Sequence, residues 1–271
     1  MLVFMFKGKF NINILKSQLY YRITRGLRMY NRDYLTNNNN NTSYSNENEA
    51  YASSQQRESA PTDLMAFLKS TYQLFASSLL AATAGAYIGL DMVSTISSWY
   101  WGLVILEFAL LFGLYAVKDK PGINLAVLFG FTFVSGLTIT PLLSSVFNMP
   151  NGASVVAQAF LMTSVAFGGI SMFALTTKKD YSSMGKMLFI ALIILIVGSI
   201  SNIFIGSPIL QLGIAMVGAL IFSAFILYDT QQIIKGGFST PIEAAIALYL
   251  DFFNLFISLL QIFAAFNSSD D

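Results

Sequence analysis

The sequence predicts an all-α membrane protein with seven transmembrane helices and a cytoplasmic N-terminus. Three observations predict it. Of the 271 residues, 55% are apolar and only 11% charged, against roughly 25% charged in a soluble domain. From Leu64 onward the chain consists of apolar runs of about 20 residues, each long enough to cross a ~30 Å hydrocarbon core at 1.5 Å per residue. All 15 Lys and Arg residues fall on one side of the membrane if there are seven spans, and an even number of spans breaks that alternation.

Residues 1–63 are a polar segment ahead of the spans. Lys7, Lys9, Lys16, Arg22, Arg25, Arg28 and Arg32 precede the first acid, Asp33. An Arg-rich, acid-free start fits an organelle transit peptide, and a leader translated upstream of a true start at Met29 accounts for it as well. The apolar stretch Leu2–Phe6 is too short for a secretory signal. The run Asn37–Asn41 and the Ser-, Glu- and Gln-rich stretch up to Asp63 cannot bury enough apolar surface to order themselves, so disorder is expected over 33–63.

The membrane domain, 64–271, holds apolar runs at 71–90, 99–117, 123–147, 153–175, 187–205, 209–234 and 244–266. The breaks carry turn formers, as in Lys118-Asp119-Lys120-Pro121-Gly122, Asn148-Met149-Pro150-Asn151-Gly152 and Gly206-Ser207-Pro208. The runs lack the polar stripe that a soluble helix shows to water, which excludes a soluble bundle. Gly85 and Gly89 make a GxxxG spacing in the first run, which permits close helix contact. Between the last two runs, Gly236-Gly237 suits a left-handed helix stop. Ser239-Thr240-Pro241-Ile242-Glu243 suits a helix start, with Thr240 as N-cap and Glu243 closing a capping box. The sixth and seventh spans therefore form a tight hairpin.

Nine of the 15 basic residues precede the first span; Lys118 and Lys120 follow the second, Lys178, Lys179 and Lys186 the fourth, and Lys235 the sixth. The opposite loops, 91–98, 148–152 and 206–208, contain none. The basic side is expected in the cytoplasm and the Asp270-Asp271 tail on the far side.

Composition also limits the chemistry. The chain has no Cys and no His and a net charge of +1. Disulfides, thiolate or His-ligated metal sites, Ser-His-Asp catalysis and a histidine pH switch are excluded. No basic field exists to recruit nucleic acid. No cofactor is expected.

Three carboxylates, Glu107, Asp229 and Asp251, sit inside apolar runs. A charge at the centre of a span costs at least ~2.5 kcal/mol, which makes each a functional candidate. The plainer account is a carboxylate near a helix end that reaches water, or one satisfied by a neighbouring hydroxyl. Asp229 lies 11 residues before Thr240 and Asp251 lies 11 after it. Antiparallel helices rising ~1.5 Å per residue bring both to similar depth, about 10–15 Å below the basic surface. If they face each other they share one proton and titrate as a unit, the best pH sensor open to a chain without His. Independent snorkelling carboxylates are the alternative. Lys118 follows Glu107 by 11 residues, so the two share a face but stand ~16 Å apart. Its long stem reaches toward Asp229; an ordinary topology anchor explains it too.

Leu227-Tyr228-Asp229-Thr230-Gln231-Gln232-Ile233-Ile234 and Leu248-Tyr249-Leu250-Asp251-Phe252-Phe253-Asn254-Leu255-Phe256 resemble the C-terminal signature of the Bax inhibitor-1 family. Ile105-Leu106-Glu107 and Phe133-Val134-Ser135-Gly136-Leu137-Thr138 match it as well. The likeness covers about 64–271 and fits a bacterial-type member, in the cytoplasmic (inner) membrane. It implies a central seventh helix surrounded by six others, and a pH-sensitive Ca²⁺ leak. Within that likeness Asp229 and Asp251 form a di-aspartyl proton sensor, Glu107 lines the conduit with them, and Lys118 latches the closed state. Relatives carry Arg at the latch; Lys offers a point charge in place of a bidentate fork.

A Ca²⁺ leak agrees with the hard oxygen ligands that the chain supplies. The permeant ion would meet Glu107, Asp229 and Asp251 transiently, with no resident metal. The rival is a regulator of membrane quality control or stress response, binding another membrane protein such as a quality-control protease, since some bacterial members resemble modulators of one. An enzyme is not expected. Tyr228-Asp229 matches half of an intramembrane aspartyl protease motif, but Asp251 follows Leu-Tyr-Leu in place of Gly-x-Gly, and Pro-Ala-Leu does not occur.

Overall fold

The computed structural model describes residues 46–268, with side chains from Asp63 onward. The chain divides into two units, one over Gly8–Ala66 and one carrying Phe67–Asp271. The transit-peptide, Met29 and Asn-run readings, and the Asp270-Asp271 tail, lie outside the described residues.

The described residues form α1 (Asn46–Leu90), α2 (Val93–Ser98), α3 (Tyr100–Val117), α4 (Ile123–Thr138), α5 (Thr140–Phe147), α6 (Gly152–Thr176), α7 (Met184–Ile205), α8 (Pro208–Ile234) and α9 (Pro241–Asn267). Seven segments are long and apolar enough to cross a membrane: Asp63–Leu90, α3, α4 with α5, α6, α7, α8 and α9. They match the seven expected runs to within a few residues at most ends, and α1 is longer. It runs back to Asn46, into the stretch whose composition predicts disorder. Ala, Glu and Gln recur there, and all favour helix.

Two elements depart from the sequence reading. The expected third span is broken at Ile139, between α4 and α5, with Pro141 in the first turn of α5. Proline has no N–H for the ladder and its ring crowds the preceding turn, so the helix breaks there. The loop after α1 contains the short helix α2.

Helix α9 is the core. Of its most apolar stretch, 72% is buried inside the bundle, against 22–44% for the other spans. It packs against α8, α6 and α4. Phe252 takes edge-on contacts from Phe75 of α1 and from Phe160 and Phe167 of α6. Outward faces carry exposed Leu80, Ile105, Phe160, Phe204, Ile209 and Leu220, the apolar surface that lipid requires.

The α8–α9 hairpin follows the expected caps. Gly236 has φ +68°; its N–H donates to Ile233 O and the Gly237 N–H to Gln232 O, a Schellman stop. Thr240 Oγ1 accepts from the Glu243 N–H at 3.2 Å. The return half of the capping box is displaced by one residue, because Glu243 Oε2 accepts from the Ser239 N–H at 3.0 Å.

The GxxxG face of α1 meets α4 and α5. A Cβ on Gly85 would lie 2.1 Å from Phe133 O, one on Gly136 2.0 Å from Ala82 O, and one on Gly89 2.3 Å from Thr140 Oγ1. At Gly85 and Gly136 the atoms met are backbone, and only glycine allows backbones this close.

Candidate functional site

Asp229 and Asp251 are completely buried. They stand on α8 and α9, two helices that pack along each other. Asp229 is five residues from the end of α8 and Asp251 ten from the start of α9, so along their own helices they lie about 8 Å and 15 Å in. The equal count to Thr240 includes the non-helical connector 235–240, which adds little rise. Beside Asp229, Thr230 Oγ1 donates to Ser171 Oγ of α6 at 3.4 Å.

Glu107 of α3 is 4% exposed. Its Oε2 accepts from Thr138 Oγ1 at 3.1 Å, and the same hydroxyl lies 3.0 Å from Ser135 O. Glu107 Oε1 has no hydrogen-bond partner among the described residues. Thr138 is the last residue of α4, immediately before the break. One turn back, Ser135 Oγ is hydrogen-bonded to the buried Tyr249 Oη of α9, two residues from Asp251. Hydroxyl groups thus step from Glu107 across α4 to the central helix. A broken helix that lines a polar interior is a recurrent way of building an ion or substrate site in membrane proteins.

A cavity of about 330 Å³ adjoins this end, lined by Thr138, Tyr100, Pro141, Phe253, Gln211 and Gln261. Gln211 Nε2 donates to Gln261 Oε1 at 2.8 Å and Asn202 Nδ2 to Gln211 Oε1 at 2.9 Å. Among the described residues, no three carboxylates group as a resident metal would require.

Lys118 is placed differently from the sequence reading. Its Nζ lies 2.5 Å from Glu243 Oε1 and donates to Ser239 Oγ at 3.0 Å. The carboxylate it holds is in the first turn of α9, not Asp229. Lys118 caps the end of α3, at the level of that turn, whereas Asp229 lies deeper and would draw the ammonium out of water. The sequence marked Glu243 only as a cap. It placed Ser135, Thr138 and Tyr249 within the family pattern but gave them no partners; hydroxyls three residues apart in an apolar run were the available signal.

The family model described as inhibitor of apoptosis-promoting Bax1 matches residues 64–268. The chain belongs to the Bax inhibitor-1 family. Within it, a Campylobacter jejuni protein is 53% identical over 211 residues, covering 76% of this chain and 91% of the relative. A Vibrio cholerae membrane protein is 39% identical, covering 75% and 91%. The Golgi anti-apoptotic protein of vaccinia virus is 33% identical, covering 75% and 86%. The match begins at the first span, so the Bax inhibitor-1 likeness lies in the membrane domain that holds all three buried carboxylates.

Proposed function

We propose that this Bax inhibitor-1 family protein is a non-enzymatic, pH-sensitive Ca²⁺ leak pathway, with Asp229 and Asp251 as a coupled proton sensor and Glu107 on the ion route. Protons and Ca²⁺ are its ligands, and it needs no cofactor. The observation that carries the reading is the burial of three carboxylates in an apolar bundle, one of them at a broken helix beside a cavity. Retaining such groups in a membrane interior is costly, and carboxylates with hydroxyls and carbonyls are the ligands that a hard cation exchanges for water. The side of the basic residues supports a cytoplasmic N-terminus. Relatives in Campylobacter and Vibrio support a bacterial cytoplasmic membrane.

The test is Ca²⁺ flux into dye-loaded liposomes across pH 5–8. Asp229→Asn and Asp251→Asn should each flatten the pH dependence, and the double variant should add little, because coupled sites do not sum. Glu107→Gln should lower flux at every pH and leave the midpoint in place. Additive shifts from the two aspartates refute the coupled sensor. Absence of flux from correctly folded protein refutes the leak and favours the regulator of another membrane protein, a reading in keeping with the anti-apoptotic name of the vaccinia relative.

A further inference from the structure

A second cavity, of about 340 Å³, opens where α6 and α8 end on the lysine-bearing side. We propose that it binds the headgroup phosphate of an anionic phospholipid, a role that holds whether the protein conducts Ca²⁺ or regulates a partner. Its lining has two layers. Ala174 and Leu175 from the last turns of α6, with Ile234 at the end of α8, form an apolar floor within the spans; Lys178, Lys179 and Lys235 lie just beyond the span ends. That order, apolar inside and cationic outside, is the order of a lipid entering from its acyl end.

The connector that carries the lysines is fixed to α8. Buried Gln231 donates through Nε2 to Lys179 O and accepts from the Tyr181 N–H, both at 2.8 Å. The Lys235 ammonium is hydrogen-bonded to Asp180 and lies 2.9 Å from Ser182 Oγ. Asp180 also lines the cavity, but Lys235 engages its charge; the Lys235 ammonium and the Ser182 N–H hold its carboxyl down at about 2. Lys178 has no carboxylate partner among the described residues. The Lys179 ammonium stands 5.3 Å from the Tyr181 ring centroid, a contact that leaves its charge uncompensated. By contrast, Lys118 at the neighbouring hairpin is occupied by Glu243. Basic pockets between spans at the cytoplasmic leaflet are suited to lipid phosphates, and lysine serves them as a point charge. A free phosphate would use the cations alone and gain nothing from the apolar floor.

The experiment uses delipidated full-length protein in neutral detergent, titrated with short-chain phosphatidylglycerol, short-chain phosphatidylcholine or inorganic phosphate, and read by thermal shift and native mass spectrometry. Phosphatidylglycerol should bind and stabilise, and the other two should do so at least ten times more weakly. A lysine near an anionic surface contributes about five-fold in affinity, so Lys178→Ala with Lys179→Ala should weaken phosphatidylglycerol about 30-fold. Lys178→Arg with Lys179→Arg should retain it, and Lys120→Ala, on the same side but outside the cavity, should change nothing. Equal binding of phosphatidylcholine, inorganic phosphate matching phosphatidylglycerol, or an unchanged affinity in the double alanine variant would each overturn the proposal. Should the double alanine variant fold poorly, Lys178→Gln alone must still lower the affinity several-fold.

Discussion

Placing a single methyl group at Gly136 tests the packing that positions Glu107. A Cβ there would lie 2.0 Å from the Ala82 carbonyl oxygen, 2.8 Å from its carbon and 2.9 Å from the Ala86 nitrogen. All three are backbone atoms, so no rotamer change relieves the clash. Ordinary contact begins at 3.4 Å, which requires α1 and α4 to separate by roughly 1.4 Å at their crossing. Overpacking costs about 1–3 kcal/mol, and displacing helix backbones puts Gly136→Ala at the upper end. At about 2–4 °C per kcal/mol for a chain of this size, the melting temperature should fall by about 6–12 °C. Gly130 is the control on the same helix, because a Cβ there meets nothing within 4 Å and alanine is the better helix former by about 1 kcal/mol. Both variants would be melted in detergent and followed by fluorescence-detected size-exclusion chromatography. Gly136→Ala melting within about 2 °C of wild type, well inside the expected shift, would refute the close crossing. In liposomes the same variant should also lower Ca²⁺ flux, since a displaced α4 carries Thr138 away from Glu107.

Three further outcomes are expected. Lys118→Ala and Glu243→Gln should each raise Ca²⁺ leak at neutral pH, with the double variant no worse than either, while Lys120→Ala is silent; equal effects of Lys118→Ala and Lys120→Ala in the liposome assay would return Lys118 to a topology anchor. Asp180, held at about 2 against an ordinary 3.8, makes a contact that is intact above about pH 4 and lost as the pH falls toward 2. Asp180→Asn should therefore leave the pH 5–8 flux profile unmoved, and a displaced midpoint would contradict the assignment. A reporter fused after Lys235 should lie inside and one after Phe266 outside, and both on one side would contradict the seven-span orientation.

The spans and their caps were legible because each is a local pattern. Twenty apolar residues between turn formers mark a crossing wherever they occur, and Gly236 and Thr240 mark a stop and a start through their own backbone chemistry. The break at Ile139 was signalled by Pro141, but the apolar character of 123–147 obscured it. Partnerships between helices were less accessible. Lys118 is 125 residues from Glu243, and Tyr249 is 114 from Ser135. No periodicity within one helix says which face of another it meets. The choice between Glu243 and Asp229 as the partner of Lys118 turned on depth, and counting residues to Thr240 overlooked how little a non-helical connector rises.

The position of α9 in the chain bears on biogenesis. Six spans emerge from the ribosome before the one on which the bundle is built, and from Asp63 to Pro241 synthesis takes about 10–40 s at 5–20 residues per second. During that interval α4 and α6 sit in the bilayer with the faces meant for α9 turned to lipid or to one another, the Ser135 hydroxyl that meets Tyr249 among them. Until the last hairpin closes, that hydroxyl has only lipid or the other early spans around it. A chain interrupted after Gly236 would keep every early span and lose the helix they share, and so would not be a smaller version of the same protein.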